Sequence, residues 1–545
     1  MSVIPTPGGA TKSVNKTVYQ LPVGTTVSPN DLVLVGAADG SGLYAYPVQI
    51  LYGSSDCCPT TGPVIYPIRR FAGANLGARI QAAIDSVPAG STIDCQGAFQ
   101  AGIPLTITAP INITKQITIL LGSYTITATP GAGNNVFNIK TSGVRIIGNG
   151  SSTKIGNEHG PTRVVMTNGN LHVYAFLNTS TQVASTVIKD LDLIGVISTY
   201  YKYLPGTLTP KNPGTRTFNL DGCGGILISE PNPYLTGQGN NTSKNIIDNV
   251  FVSKTQHHGI SIIGGVTTLI QNCRLSSCSG HGIFIDSGTT TSTLINNYVS
   301  SAVLAGIKVK DSSSVALIGN GTDECGIGLF LRACTSCTVI NHYAELCRSR
   351  SLDYMPWRTS VTLGNGTQLG GTIGDISNSS NTVGNLYNGT SIVVSGGQNI
   401  SIENPYSKDA GAPSTGSNAW SITQSSTYDA RHYRICRGAN MVRLNNPYCK
   451  VDQSTNPYTS GDAPRFDIGV EASGDALPQD VMVYFNPKTG ASSFTRANYV
   501  LGNYSTYTDT AAKSTTIIDE SYNINSADAG STLITSGTKT WPTTA

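Results

Sequence analysis

The chain has 545 residues, with 34 Lys and Arg against 31 Asp and Glu, and only 12% of it is charged, about half the usual quarter. A net charge of +3 excludes the broad basic footprint of a nucleic-acid binder, and no apolar run reaches the length that spans a bilayer. With 60 Gly and much Ser, Thr and Asn, the composition excludes both a helical bundle and a highly charged disordered chain, and it reads as an all-β protein with many turns.

From Met1 the sequence has no basic n-region and no apolar h-region of a secretory signal, so synthesis in the cytoplasm and release by lysis are expected. Residues 1–65 read as a small β unit. Two strand-like runs, 31–36 and 43–51, flank an Asp-Gly turn in a hairpin pattern, and a Gly/Pro/Ser linker follows at 53–63. One helix is predicted next. Asn75 is its N-cap, Leu76, Ile80, Ala83, Ile84 and Val87 recur at helical spacing, and Pro88-Ala-Gly90 stops it. Two glycine-punctuated strands follow, at 117–122 and 144–148.

The centre of the chain repeats. Asn249, Asn272, Asn297, Asn320 and Asn341 precede short strands, and Gly259, Gly282, Gly306 and Gly326 are each followed by isoleucine. Spacings in the low twenties are too short for a propeller blade, and the helices of a leucine-rich repeat are missing. After each glycine the pattern alternates with period two. Ile260, Ile283, Ile307 and Ile327 are expected inside, with Ser261, Phe284, Lys308 and Gly328 outside. Such coils stack into a parallel β-helix, with asparagines hydrogen-bonded up and down a ladder. Twelve cysteines are too few for a disulfide scaffold. Cys334-Thr-Ser-Cys337 lacks a second pair at zinc spacing, so buried free thiols are expected, with no metal and no cofactor.

From Phe71 onward the helix, the Ile-Thr-Ile-Leu-Leu-Gly run, the Val-Arg-Ile-Ile-Gly-Asn-Gly-Ser-Ser-Thr-Lys-Ile run, Val187-Ile-Lys-Asp-Leu-Asp-Leu-Ile-Gly195 and the His-Gly-Ile coils resemble the pectate-lyase-type right-handed parallel β-helix superfamily. The small strand-rich unit before the coils resembles the virion-anchoring head of bacteriophage tailspikes. That resemblance implies a homotrimer, a head at 1–65 that docks on the phage tail or an adaptor protein, and a capped β-helix at 66–410 that binds or degrades host surface polysaccharide. It also implies a C-terminal β region at 411–545 for trimerisation or receptor binding. A free polysaccharide lyase or glycoside hydrolase of the same superfamily is the alternative. The missing signal and the lack of an acidic calcium cluster weigh against it.

No linear motif carries catalysis, so candidates come from stacking. Glu324 and Glu345 each lie four residues after a repeat asparagine, Asn320 and Asn341. Neighbouring coils are about 4.7–4.9 Å apart, which makes these two glutamates a candidate acid pair, with Asp323 available for a wider one. Two solvated turn residues beside Arg348 or Arg350 are the competing reading. His258 and His281 are equivalent on consecutive coils and either bind sugar or stack at a corner, held by backbone carbonyls. Asp286 and Lys310 align as a surface salt bridge. Tyr200, Tyr201 and Tyr203, and Tyr354 with Trp357, sit in segments that break the coil rhythm and can line a sugar groove or an interface. Phe251, Phe284 and Phe330 fall at outward parity and are candidate trimer contacts. Asn-Pro-Tyr at 232–234, 404–406, 446–448 and 456–458 reads as repeated turn chemistry.

Overall fold

The computed structural model describes most of residues 64–195, 242–347, 390–408 and 438–450, with further strands between 32 and 47, 224 and 229, and 361 and 540. The chain divides into two compact units, residues 1–66 and 67–545. In the first, Leu32–Gly36 and Leu43–Pro47 pair as an antiparallel hairpin. The second is a right-handed parallel β-helix. Among the described residues, most of its strands lie in a sheet of 24 and a sheet of 12, almost all parallel, with two further two-stranded sheets.

A helix, Leu76–Ser86, caps the stack. Asn75 accepts from the Ala78 N–H through its side chain, and Leu76, Ile80, Ala83 and Ile84 are buried against the first coil strands. The C-terminal end is closed by Lys115, whose Nζ donates to the carbonyls of Asp85 and Val87 at 2.8 and 3.1 Å.

Each central coil has three strands. In one of them, Leu269–Gln271 and Arg274–Ser276 send only Ile270 and Leu275 inward, while Ile283–Asp286 is buried on both faces. Between the first two strands Asn272 turns the corner with φ +54°. The residues that stack on it are Asn249, Asn296, Gly319, Asn341, Asn404 and Asn446, all at positive φ. Asparagine and glycine tolerate this left-handed geometry better than other residues.

The asparagine repeat is therefore two ladders rather than one. Asn249, Asn272 and Asn341 belong to the corner, whereas Asn297 and Asn320 lie one position later and face the interior. There the Asn297 Nδ2 donates to Ile270 O and Asn320 Oδ1, at 2.9 and 3.0 Å, and Asn320 Nδ2 donates to Leu294 O at 2.9 Å. Inner groups that strand pairing leaves over are satisfied this way. The next residue in that inner column is His342, which burial pushes down to about 3.

The glycine series slips too. Gly306 stands opposite Gly328, not Gly326, because Ile307 pairs with Leu329. Glycine is needed here for space. A Cβ on Gly282 would lie 2.3 Å from Val299 Cγ1 and 2.6 Å from Gly306 O. Alanine normally stabilises a site that glycine can vacate, but Gly282→Ala is expected to destabilise by about 1–3 kcal/mol through overpacking. The guanidinium midpoint should fall at an unchanged slope.

The outer face of the twelve-stranded sheet corrects several expectations. Ser261, Phe284, Lys308 and Phe330 form one outward column, and all four are buried. Lys308 Nζ lies between two rings, 5.3 Å from the centroid of Phe284 and 5.4 Å from that of Phe330. Phe284 and Phe330 are thus enclosed within the chain, not free for a subunit contact, and Phe251 is half-buried on the other sheet. Asp286 is not at the surface either. It is fully buried, and Lys310 Nζ meets its Oδ1 at 3.3 Å with a side chain 13% exposed.

Beyond residue 410, where the sequence loses its period, the parallel pairing continues. Arg431–Cys436, Phe466–Glu471 and Ala497–Gly502 extend the smaller sheet. Asn440–Asn445, Gln479–Phe485 and Thr516–Asp519 extend the larger one. Parallel pairing thus runs on past residue 410. The nine described cysteines are free and buried. Burial pushes Cys273 up to about 12 and Cys278 up to about 11, and the hydrogen bond to Cys337 together with burial raises Cys334. Such thiols are poor nucleophiles.

Candidate functional site

The second strand of each coil presents two outward residues, and stacking turns these into two columns. One runs Arg274, Tyr298, Gly321, Tyr343, Tyr406, Tyr448. The other runs Ser276, Ser300, Asp323, Glu345, Lys408, Lys450. An aromatic ladder thus stands beside a column that changes from hydroxyls to acids to lysines.

Asp323 and Glu345 are register partners on adjacent strands, so their backbones are about 4.7–4.9 Å apart. Each carboxylate has a tyrosine. The Tyr298 hydroxyl reaches across one coil to donate to Asp323 Oδ2 at 3.3 Å, and the Tyr343 hydroxyl donates to Glu345 Oε2. Lys408 Nζ donates to Glu345 Oε1 at 2.6 Å, with both side chains about one-fifth exposed. Burial, then the neighbouring carboxylates, raise the Tyr298 hydroxyl above the usual tyrosine range. Burial, then Glu345, do the same for Tyr343. Both phenols remain protonated donors as a result.

The rings of Tyr343 and Tyr406 stack at 5.0 Å and 18°, and those of Tyr406 and Tyr448 at 4.6 Å and 14°. Faces packed on one another leave the ring edges and hydroxyl groups as the parts of these tyrosines that do not stack.

Glu324 is not the partner of Glu345. Because Asn320 and Asn341 belong to different ladders, equal offsets from them give unequal positions. Glu324 is a corner residue at φ +52°, its N–H donates to the Glu345 carbonyl, and its Oε2 accepts from the Ser301 hydroxyl at 3.1 Å. Asp323 takes the place expected of Glu324. The cation beside the acids is Lys408, while Arg348 and Arg350 lie outside the described residues.

His258 and His281 stack at 4.9 Å and 17° and both pack on Phe284. They are buried. Their Nδ1 atoms accept from the backbone N–H groups of His281 and Ala305, at 2.9 and 3.0 Å, so backbone donors help to hold them. Tyr200, Tyr201, Tyr203, Tyr354 and Trp357 lie outside the described residues. Sequence reasoning missed Tyr298, Tyr343, Tyr406, Tyr448 and Lys408. The signal was present in Tyr343-Ala-Glu345, Tyr406-Ser-Lys408 and Tyr448-Cys-Lys450, a tyrosine two residues before a charge. Asn-Pro-Tyr at 404–406 and 446–448 is a corner asparagine followed by a ladder tyrosine.

Among the described residues, no group of three or more His, Cys, Asp or Glu could hold a metal, and no helix is long and apolar enough to cross a membrane. The family model of the periplasmic copper-binding protein (NosD) matches residues 230–343. No curated protein matches the chain. Solved structures similar to it include a mannuronan C-5 epimerase A-module of Azotobacter vinelandii, 13% identical over 81% of this chain and 98% of that one, with a TM-score of 0.42. DFA-IIIase of Arthrobacter chlorophenolicus without its lid is 11% identical over 80% of this chain and 94% of that one, with a TM-score of 0.48. The Dettilon tailspike protein is 11% identical over 78% of this chain and 68% of that one, with a TM-score of 0.44.

Proposed function

We propose that the protein is a bacteriophage tailspike that binds polysaccharide of the host bacterial surface along the tyrosine ladder and cleaves it at Asp323 and Glu345. The observation that carries this reading is the acid pair, in register on adjacent coils and flanked by tyrosine hydroxyls and a lysine. A backbone separation of about 4.7–4.9 Å suits the roughly 5–5.5 Å between carboxyl groups in retaining glycosidases. Assembly as a homotrimer, docking on the tail or an adaptor protein through residues 1–65, and a place in the virion tail belong to the same reading. They are supported by the resemblance of the N-terminal unit to tailspike heads.

In this mechanism Glu345 is the nucleophile, since Lys408 and Tyr343 both donate to its carboxylate and favour the ionised form. A Glu345 oxygen bonds to the anomeric carbon as the glycosidic C–O bond breaks, and protonated Asp323 gives its proton to the leaving oxygen. Water then attacks the anomeric carbon, releases Glu345, and returns a proton to Asp323. The expected result is release of oligosaccharides from one member of a panel of purified lipopolysaccharides and capsular polysaccharides, by a protein that sediments as a trimer. Binding without release would remove the hydrolytic assignment, and a monomer that binds none of the panel would overturn the tailspike reading.

A further inference from the structure

The tyrosine ladder has one break, at Gly321, and the break lies in the coil that carries Asp323. The rungs on either side of it are Tyr298 and Tyr343. Gly321 is not at positive φ, unlike Gly319 at +62°, so the backbone there does not require glycine. Space does. A Cβ on Gly321 would lie 2.8 Å from Tyr298 Cδ2 and 3.2 Å from its Cε2, because the Tyr298 ring folds over that rung.

This fold-over lets the Tyr298 hydroxyl reach a carboxylate one coil away, whereas Tyr343 bonds the acid of its own coil. Oδ1 of Asp323 is enclosed. Its other oxygen, Oδ2, accepts from the Tyr298 hydroxyl at 3.3 Å. A ladder serving only to stiffen the coil would be better packed with tyrosine at 321, like the continuous stack from Tyr343 to Tyr448.

We infer that Tyr298 is the positioning residue of Asp323, set across one coil by the empty rung at Gly321, and that it fixes Oδ2 where the glycosidic oxygen is received. This inference rests on the proposed cleavage at Asp323 and Glu345. The phenol donates to the ionised form of Asp323 and so holds down its proton affinity, and it limits rotation of the carboxyl group.

The experiment uses the full chain and the polysaccharide identified by the release assay. Tyr298→Phe keeps the ring and removes the hydroxyl. Its kcat should fall roughly ten- to hundredfold, the worth of one hydrogen bond to a charged group, with little change in KM. The loss of a donor to the carboxylate makes Asp323 hold its proton to higher pH. The basic limb of the pH–rate profile should therefore move up. Gly321→Ala, which displaces the ring, should move it the same way.

An unchanged kcat and basic limb in Tyr298→Phe would overturn the inference. A readout independent of turnover is the carboxyl carbon shift of Asp323, followed against pH in protein labelled with 13C-aspartate and assigned with Asp323→Asn. The titration should move up in Tyr298→Phe whether or not any glycan is cleaved. A wild type without turnover, together with that upward shift, would defeat the hydrolytic reading and keep the Tyr298–Asp323 coupling. No shift would defeat the coupling itself.

Discussion

Glutamine at 345 and asparagine at 323 are each expected to abolish most glycan cleavage while leaving glycan binding in place. Both substitutions keep the volume and one acceptor oxygen for a tyrosine hydroxyl; the acid or nucleophile is lost, and at 345 the ion pair with Lys408 goes with it. Loss of acid–base function costs roughly 10²–10⁴-fold in rate, and loss of the nucleophile should cost no less. Glu324→Gln is the control. Its side chain accepts from Ser301 at a corner, one residue away from the column that carries the acids, so turnover should stay near wild type. If Glu324→Gln were as damaging as Glu345→Gln, the register-based pairing of Asp323 with Glu345 would be the wrong one. Oligosaccharide release over time measures the first effect, and co-sedimentation with the intact polysaccharide measures the second.

The parallel coil stack was legible in the sequence because its signal is local and repeated. Inward isoleucines at 260, 283 and 307 follow glycines at almost constant spacing, and all are buried. The positions that fix function are read across coils, and there a slip of one residue changes the partner. Asparagine suits both the left-handed corner and the interior ladder, for different physical reasons, so its recurrence alone could not separate Asn341 from Asn320. That single ambiguity turned Glu324 into the expected partner of Glu345 and left Asp323 as the member of a wider pair. Outward parity was also legible at Phe284 and Lys308, but parity does not report burial. Their side chains point away from the coil interior and are enclosed all the same. Tyr406 and Tyr448 were hidden for another reason. The inserts that separate the coils late in the chain erase the period, and only the Asn-Pro-Tyr triplets kept its trace.

The buried pair on that enclosed face should respond unequally to loss of its two members. Lys310 Nζ lies 3.3 Å from Asp286 Oδ1 and 3.4 Å from its Oδ2. It also meets Asp311 Oδ2 at 3.2 Å, and the Asp311 side chain is 49% exposed. Lys310 therefore has a second anion and a route towards water. Asp286 is fully buried and lacks that route. Removing one member of a buried pair costs about 3–5 kcal/mol when the other charge is left uncompensated, whereas replacing both by apolar groups is often neutral. Lys310→Met, which takes the ammonium from an enclosed carboxylate, should be the more costly of the two single changes. Asp286→Asn should cost less, about 1–3 kcal/mol, because the lysine can turn to Asp311 and solvent and the amide keeps an acceptor. The double variant Asp286→Leu with Lys310→Met should recover most of the loss. Guanidinium unfolding of the three variants checks the order, and equal losses in the two single variants would show that exposure does not decide the cost.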